Sequence, residues 1–101
     1  MMAKIIVLYE HPVDKNGFEE HYFNVHVPLV QKIPHLKDAS INRVVQSQNT
    51  DLDLYLIAQL EFENMEELNE MFVTVEGKSV LGDVEKLKNY LGKNPIISIT
   101  E

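Results

Sequence analysis

Four short segments rich in β-branched residues alternate with three stretches of helical periodicity, in the order β-α-β-β-α-α-β. That order predicts an α+β fold, the ferredoxin-like split βαβ sandwich, in which helices cover one face of a four-stranded antiparallel sheet. The first and third strands are central in this arrangement. Two further observations agree with it. The 101 residues suit a single domain over residues 1–101, and the first strand is apolar on both sides, as expected in the middle of a covered sheet.

The elements follow in chain order. Ala3 to Glu10 reads as the first strand, with Ile5, Val7 and Tyr9 facing one way and Ile6 and Leu8 the other. After a polar connection from His11 to Gly17, the stretch Lys15 to Leu36 has the period of a helix, capped by Asp14 or Asn16 and stopped by Pro34. Lys37 to Gln48 alternates loosely and reads as an edge strand. Across the turn-rich Ser47 to Asp51, Leu52 to Phe62 alternates clearly, so the two make a hairpin with a loop of about five residues. Leu54, Leu56, Ala58, Leu60 and Phe62 form one face of the later strand; Tyr55, Ile57, Gln59 and Glu61 form the other. Asn64 with Glu67 starts a second helix that runs to Val75, with Gly77 as its stop. A third runs from Ser79 to Leu91, with Val80, Val84, Leu87 and Leu91 on one face and Gly92 at its end. Pro95 to Thr100 closes the sheet.

Composition excludes several classes of function. A net charge of −7 and a pI near 5.0 repel phosphate backbones and anionic lipid, so neither nucleic acid nor membrane is expected as a partner. There is no cysteine, hence no disulfide or thiol chemistry. The apolar run Ile5 to Tyr9 is too short for a signal peptide or a membrane span, and a soluble cytoplasmic protein is expected. Gly77-Lys78-Ser79 imitates the end of a phosphate-binding loop, but Phe72 stands where that loop needs its first glycine. No cofactor motif is present. The histidines at 11, 21, 26 and 35 lack metal-ligand spacing; His21 and His26 diverge by about 140° on an α-helix.

The first helix carries the candidate chemistry. Phe18, Tyr22, Val25, His26, Leu29 and Ile33 share one stripe, and Tyr22 and His26 are neighbours one turn apart. A phenol and an imidazole on a covered face can exchange protons with a small molecule, or simply satisfy each other. Pro28 removes the donor that would pair with the Asn24 carbonyl, so a bend or break is expected just after His26. Tyr9, Tyr55 and Gln59 on the strands, with Phe18, Met65 and Phe72 on the helices, are the further candidates for lining a mainly apolar pocket.

The pattern Phe18-x3-Tyr22-x3-His26-x-Pro28-Leu29-x4-Pro34-x-Leu36 resembles the signature helix of the EthD family, named for ethyl tert-butyl ether degradation. It covers about a fifth of the chain. One departure is visible: the family often has Pro-Gly-Leu at the helix exit, where this chain has Pro34-His35-Leu36. The resemblance implies the dimeric α+β barrel superfamily, a homodimer through the open sheet face, and a small-molecule ligand. That superfamily includes isomerases, cyclases and cofactor-free monooxygenases, so the expectation is a proton-transfer or oxidoreductase-associated enzyme. His26 would be its acid or base and Tyr22 would orient it. The alternatives are a non-catalytic carrier or stress-related binding protein, and a haem-binding protein using His26. Apolar side chains on the open face, either Ile6 and Leu8 or Val7 and Tyr9, together with Tyr55 and Ile57, independently argue for a covering partner sheet.

Overall fold

The computed structural model describes residues 2–101. Its elements are β1 (Ala3–Glu10), α1 (Lys15–His21), a π-helical turn (Tyr22–His26), α2 (Val27–Val30), β2 (Leu36–Arg43), β3 (Leu54–Phe62), α3 (Met65–Met71), α4 (Val75–Leu91) and β4 (Ile96–Thr100). The strands form one antiparallel sheet in the order β2-β3-β1-β4, with β1 and β3 central. The fold is therefore the ferredoxin-like α+β sandwich that the element order predicts.

Strand alternation decides what faces the helices. Ile5, Val7 and Tyr9 pair with Leu60, Ala58 and Leu56 on the helix side of the sheet. The alternative left open by the sequence is settled: Ile6 and Leu8 point to the other face, beside Gln59, Ile57, Ser98 and Ile96. One register shift breaks the alternation. Tyr9 is opposite Leu56 and Glu10 is opposite Leu54, so Tyr55 is the extra residue of a β-bulge. Its side chain turns to the helix side with that of Leu56. The Tyr55 hydroxyl donates to Glu19 Oε2 at 2.6 Å, and its ring stands edge-on to Phe18. Tyr55 thus does not belong to the open face.

The element boundaries bring several corrections. The first helix neither breaks at Pro28 nor reaches Pro34. It widens by one residue, the Val27 N–H donating to the Tyr22 carbonyl five residues back, and then resumes to Val30. A π turn absorbs an extra residue in this way, and it lets Pro28 sit at the start of the last segment, where its missing N–H is tolerated. The hairpin loop is longer than expected, spanning residues 44–53. The second helix ends at Met71, not Val75. Gly77 is no stop, because it lies in the first turn of α4, which Thr74 caps by accepting from the Gly77 N–H. A Cβ on Gly77 would fall 1.8 Å from the Met71 carbonyl oxygen, so glycine is there to let α4 start against the end of α3. The other end signals hold. Asn64 accepts from the Glu67 N–H, and Gly92 ends α4 at φ 76°.

The core is in two parts. One gathers Ile5, Leu60, Phe62, Leu68, Met71 and Val80; the other gathers Tyr9, Phe18, Tyr22, Leu56, Leu87 and Leu91. Val7 packs against both.

Candidate functional site

Between the two parts of the core lies a cavity of about 170 Å³. Ile5, Val7 and Tyr9 of β1 and Ala58 and Leu60 of β3 make its floor. Tyr22, His26, Val27 and Val30 make one wall, and Val80 and Val84 of α4 the other. The lining is apolar except for Tyr9, Tyr22, His26, Gln31 and Ser40.

His26 is held from behind. Its Nδ1 lies 2.9 Å from Asp83 Oδ2, while Asp83 Oδ1 lies 2.8 Å from His21 Nε2. The side chains of His26 and Asp83 are 5% and 3% exposed; that of His21 is 17% exposed. Burial opposes ionisation of Asp83, but the two imidazole hydrogen bonds outweigh it and hold the carboxyl below the usual carboxylate range. An ionised carboxylate has no proton to give, so both imidazoles donate to it. His26 therefore carries its proton on Nδ1, which leaves Nε2 as a bare acceptor. Among the described residues no fully buried side-chain nitrogen or oxygen lacks a partner. Nε2, which makes no hydrogen bond among the described residues, thus opens onto accessible space. Burial pulls the His26 pKa below its ordinary value; the Asp83 carboxylate works against that shift and His21 works with it.

Two phenols stand beside this base. The Tyr22 ring stacks on His26 at 5.2 Å between centroids, and Tyr9 meets Tyr22 edge-on at 5.5 Å. Burial drives both phenols well above their ordinary range, reinforced at Tyr9 by the neighbouring Tyr22. The Tyr9 hydroxyl works against the shift at Tyr22 without overcoming it, and both phenols stay protonated.

Of the residues expected at the site, His26, Tyr22, Tyr9 and Phe72 line the cavity. The other four do not. Phe18 is fully buried behind the lining, packed against Tyr9 and Tyr22. Tyr55 is drawn away by its bulge to Glu19. Met65 packs against the core around Leu68, and Met71 lines the cavity instead. Gln59 is on the opposite face of the sheet, since its neighbours Ala58 and Leu60 are the ones facing the cavity. Sequence reasoning missed Asp83 and His21. Asp83 stands three residues after Val80 and four before Leu87, on the apolar stripe of α4, so a carboxylate at a buried helical position was the available signal. His21 diverges from His26 only if the helix is a regular α-helix. The π turn brings residues five apart into alignment, and both imidazoles reach one carboxylate.

A four-stranded sheet under a helix layer, with a carboxylate-held histidine at an apolar sheet–helix cavity, defines a small α+β protein of the ferredoxin-like class. A model of the EthD domain matches residues 10–88, and the chain belongs to the EthD family. It is similar to an EthD family protein of Bacillus halodurans C-125, with 40% identity and a TM-score of 0.86, covering 100% of this chain and 98% of that one. It is 36% identical over 83 residues to an uncharacterized 11.0 kDa protein of the thcB-thcC intergenic region of Rhodococcus erythropolis, which spans 82% of this chain and 81% of the relative. At 13% identity, a dimeric ferredoxin-like protein from Jannaschia sp. CCS1 shares the fold, with a TM-score of 0.71 over 100% of this chain and 99% of that one.

Proposed function

We propose that this protein binds a small, neutral, mainly apolar molecule in the cavity and moves a proton on it, with His26 as general base. The observation that carries the reading is the Asp83–His26 hydrogen bond at the cavity wall. It fixes the tautomer, aims Nε2 away from the carboxylate, and supplies a counter-charge for the imidazolium that forms on proton uptake. The base is neutral at neutral pH because burial disfavours its cation. Tyr22 and Tyr9, kept protonated, would donate to the oxygen on which charge develops as an acidic C–H or O–H is lost. The cavity's volume is close to that of an apolar cavity known to take a benzene ring, about 150 Å³. A ligand of one substituted ring fits that scale, and haem does not. Proton abstraction is the step shared by the isomerase-, cyclase- and cofactor-free monooxygenase-like chemistries that the family resemblance suggests.

The same reading includes a homodimer through the open sheet face. Ile6, Leu8, Ile57 and Ile96 form an apolar patch there, and the Jannaschia relative is dimeric.

The test uses acetophenone, cyclohexanone and indanone, one-ring-scale neutral ketones with acidic α-hydrogens, followed by NMR in D₂O. At least one should perturb the His26 and Tyr22 signals and exchange its α-hydrogens faster than in buffer, with the excess lost in His26→Gln. Perturbations confined to surface residues, with all three exchanging at the buffer rate, would contradict the proposal.

A further inference from the structure

We infer that His21 is a positioning residue for the His26 base, acting through Asp83: it clamps the carboxylate, and the charge at its position sets how readily His26 takes a proton. The inference rests on reading His26 as the base of the cavity, but its geometry is independent of any ligand.

Asp83 has two oxygens and each is used once, Oδ2 by His26 and Oδ1 by His21, at 2.9 and 2.8 Å. Three groups therefore span the distance from the cavity wall to the outside of the helix layer. Only the outer one meets solvent appreciably, in a shallow recess formed by Gly17, Glu20, Asn24 and Tyr90. The Tyr90 ring of α4 packs 5.7 Å from the His21 ring. The groups that face His21 are thus Asp83 and Tyr90 of α4 and Glu20 of its own helix. Those around His26 are Asp83, Tyr22 and, beyond Tyr22, Tyr9 of β1.

A buried carboxylate held only to keep His26 in place could be satisfied by backbone or amide donors. Here its second partner is an imidazole at the surface, and that choice has an electrostatic consequence. With His21 neutral, the whole charge of Asp83 favours a proton on His26. With His21 protonated, the His21–Asp83 pair is neutral overall and that support is withdrawn. His21 touches neither the cavity nor anything bound in it, and its effect passes through one shared carboxylate.

The experiment follows the ¹³Cε1 signal of His26 against pH in the ligand-free protein, comparing wild type with His21→Gln and His21→Lys. Glutamine keeps a donor for Asp83 Oδ1 but cannot charge, so the downward pull of His21 on His26 is lost and the His26 midpoint should move up. Lysine keeps the donor and a fixed positive charge, so the midpoint should move down. Opposite shifts support the proposal, and if one variant does not fold, the direction in the other decides. A His26 curve unchanged from wild type, or shifted the same way by both substitutions, would overturn it. Opposite shifts in a protein that exchanges none of the ketone hydrogens would leave the positioning role standing and remove the catalytic one.

Discussion

His26 and Asp83 are each other's reason for being buried. From sequence alone, replacing His26 by leucine has two outcomes: stability kept within about 1 kcal/mol if the histidine acts at a cavity wall with no structural bond to lose, or a loss if a partner is stranded. The structure supplies such a partner, since leucine would strand Asp83 Oδ2 in the core. His26→Leu should cost about 1–3 kcal/mol at neutral pH. The loss therefore no longer separates a structural histidine from a functional one. The pair also makes stability depend on pH. Both groups have folded-state pKa values below their ordinary ones, so between those values the unfolded chain binds more protons than the fold does. Stability from this source is complete above the ordinary histidine value of about 6.5. It is lost as pH falls, first through the lowered His26 value and then through that of Asp83. Urea denaturation from pH 7.5 to 3.5 should show the midpoint falling for wild type, and falling less below pH 6.5 for His26→Leu. Equal acid sensitivity in the two proteins would mean that the histidine contributes nothing to it.

At the scale of elements, what the sequence conveys depends on whether a rule is local. The caps at Asp14, Asn64 and Gly92 are readable because each uses a side chain or a dihedral within one turn. The π turn is only half readable. Pro28 announces a disturbance, but a widened turn and a break follow from the same missing donor, and packing of His21 and His26 onto Asp83 distinguishes them. Nor does any local feature of the sequence mark the bulge at Tyr55, which is a mismatch of register between two strands. The exit from the first helix is a sharper case. His35, at the position where the family often has glycine, adopts φ 66°, so the turn is retained with a residue that fits it poorly. A left-handed conformation costs a non-glycine residue about 1–2 kcal/mol, of which the greater chain entropy of glycine would cancel about half. His35→Gly should therefore raise stability by about 0.5–1 kcal/mol in chemical denaturation. A decrease would show that the approach of the His35 ring to Glu67 and Glu70, 3.8 Å in each case, matters more than the backbone.

At the scale of the whole molecule, the helices lie on one face of the sheet and leave apolar side chains on the other. Helices cover Ile5, Val7 and Tyr9; Ile6, Leu8 and Ile57 lie on the other face and are only half-buried. Strand alternation is enough to reveal this face, because a period of two needs no knowledge of distant contacts; only the bulge, which moves Tyr55 off it, escapes that rule. The cavity is less visible, because it is a gap between two core clusters whose members are far apart in sequence. Sedimentation at tens of micromolar should show a dimer of the 11.7 kDa chain. Ile57→Asp should shift it to monomer or unfold it, since the carboxylate would be buried unpaired. A wild-type protein that sediments only as monomer would remove the interface.

The proposed proton transfer needs one atom above all, the bare Nε2 of His26, and that atom can be observed directly. Long-range ¹H–¹⁵N correlation at pH 7 reports which ring nitrogen of a histidine carries the proton. For His26 the structure predicts a neutral ring protonated at Nδ1, with the unprotonated signal belonging to Nε2. A ring protonated at Nε2, or an imidazolium with both nitrogens protonated at that pH, would contradict the account.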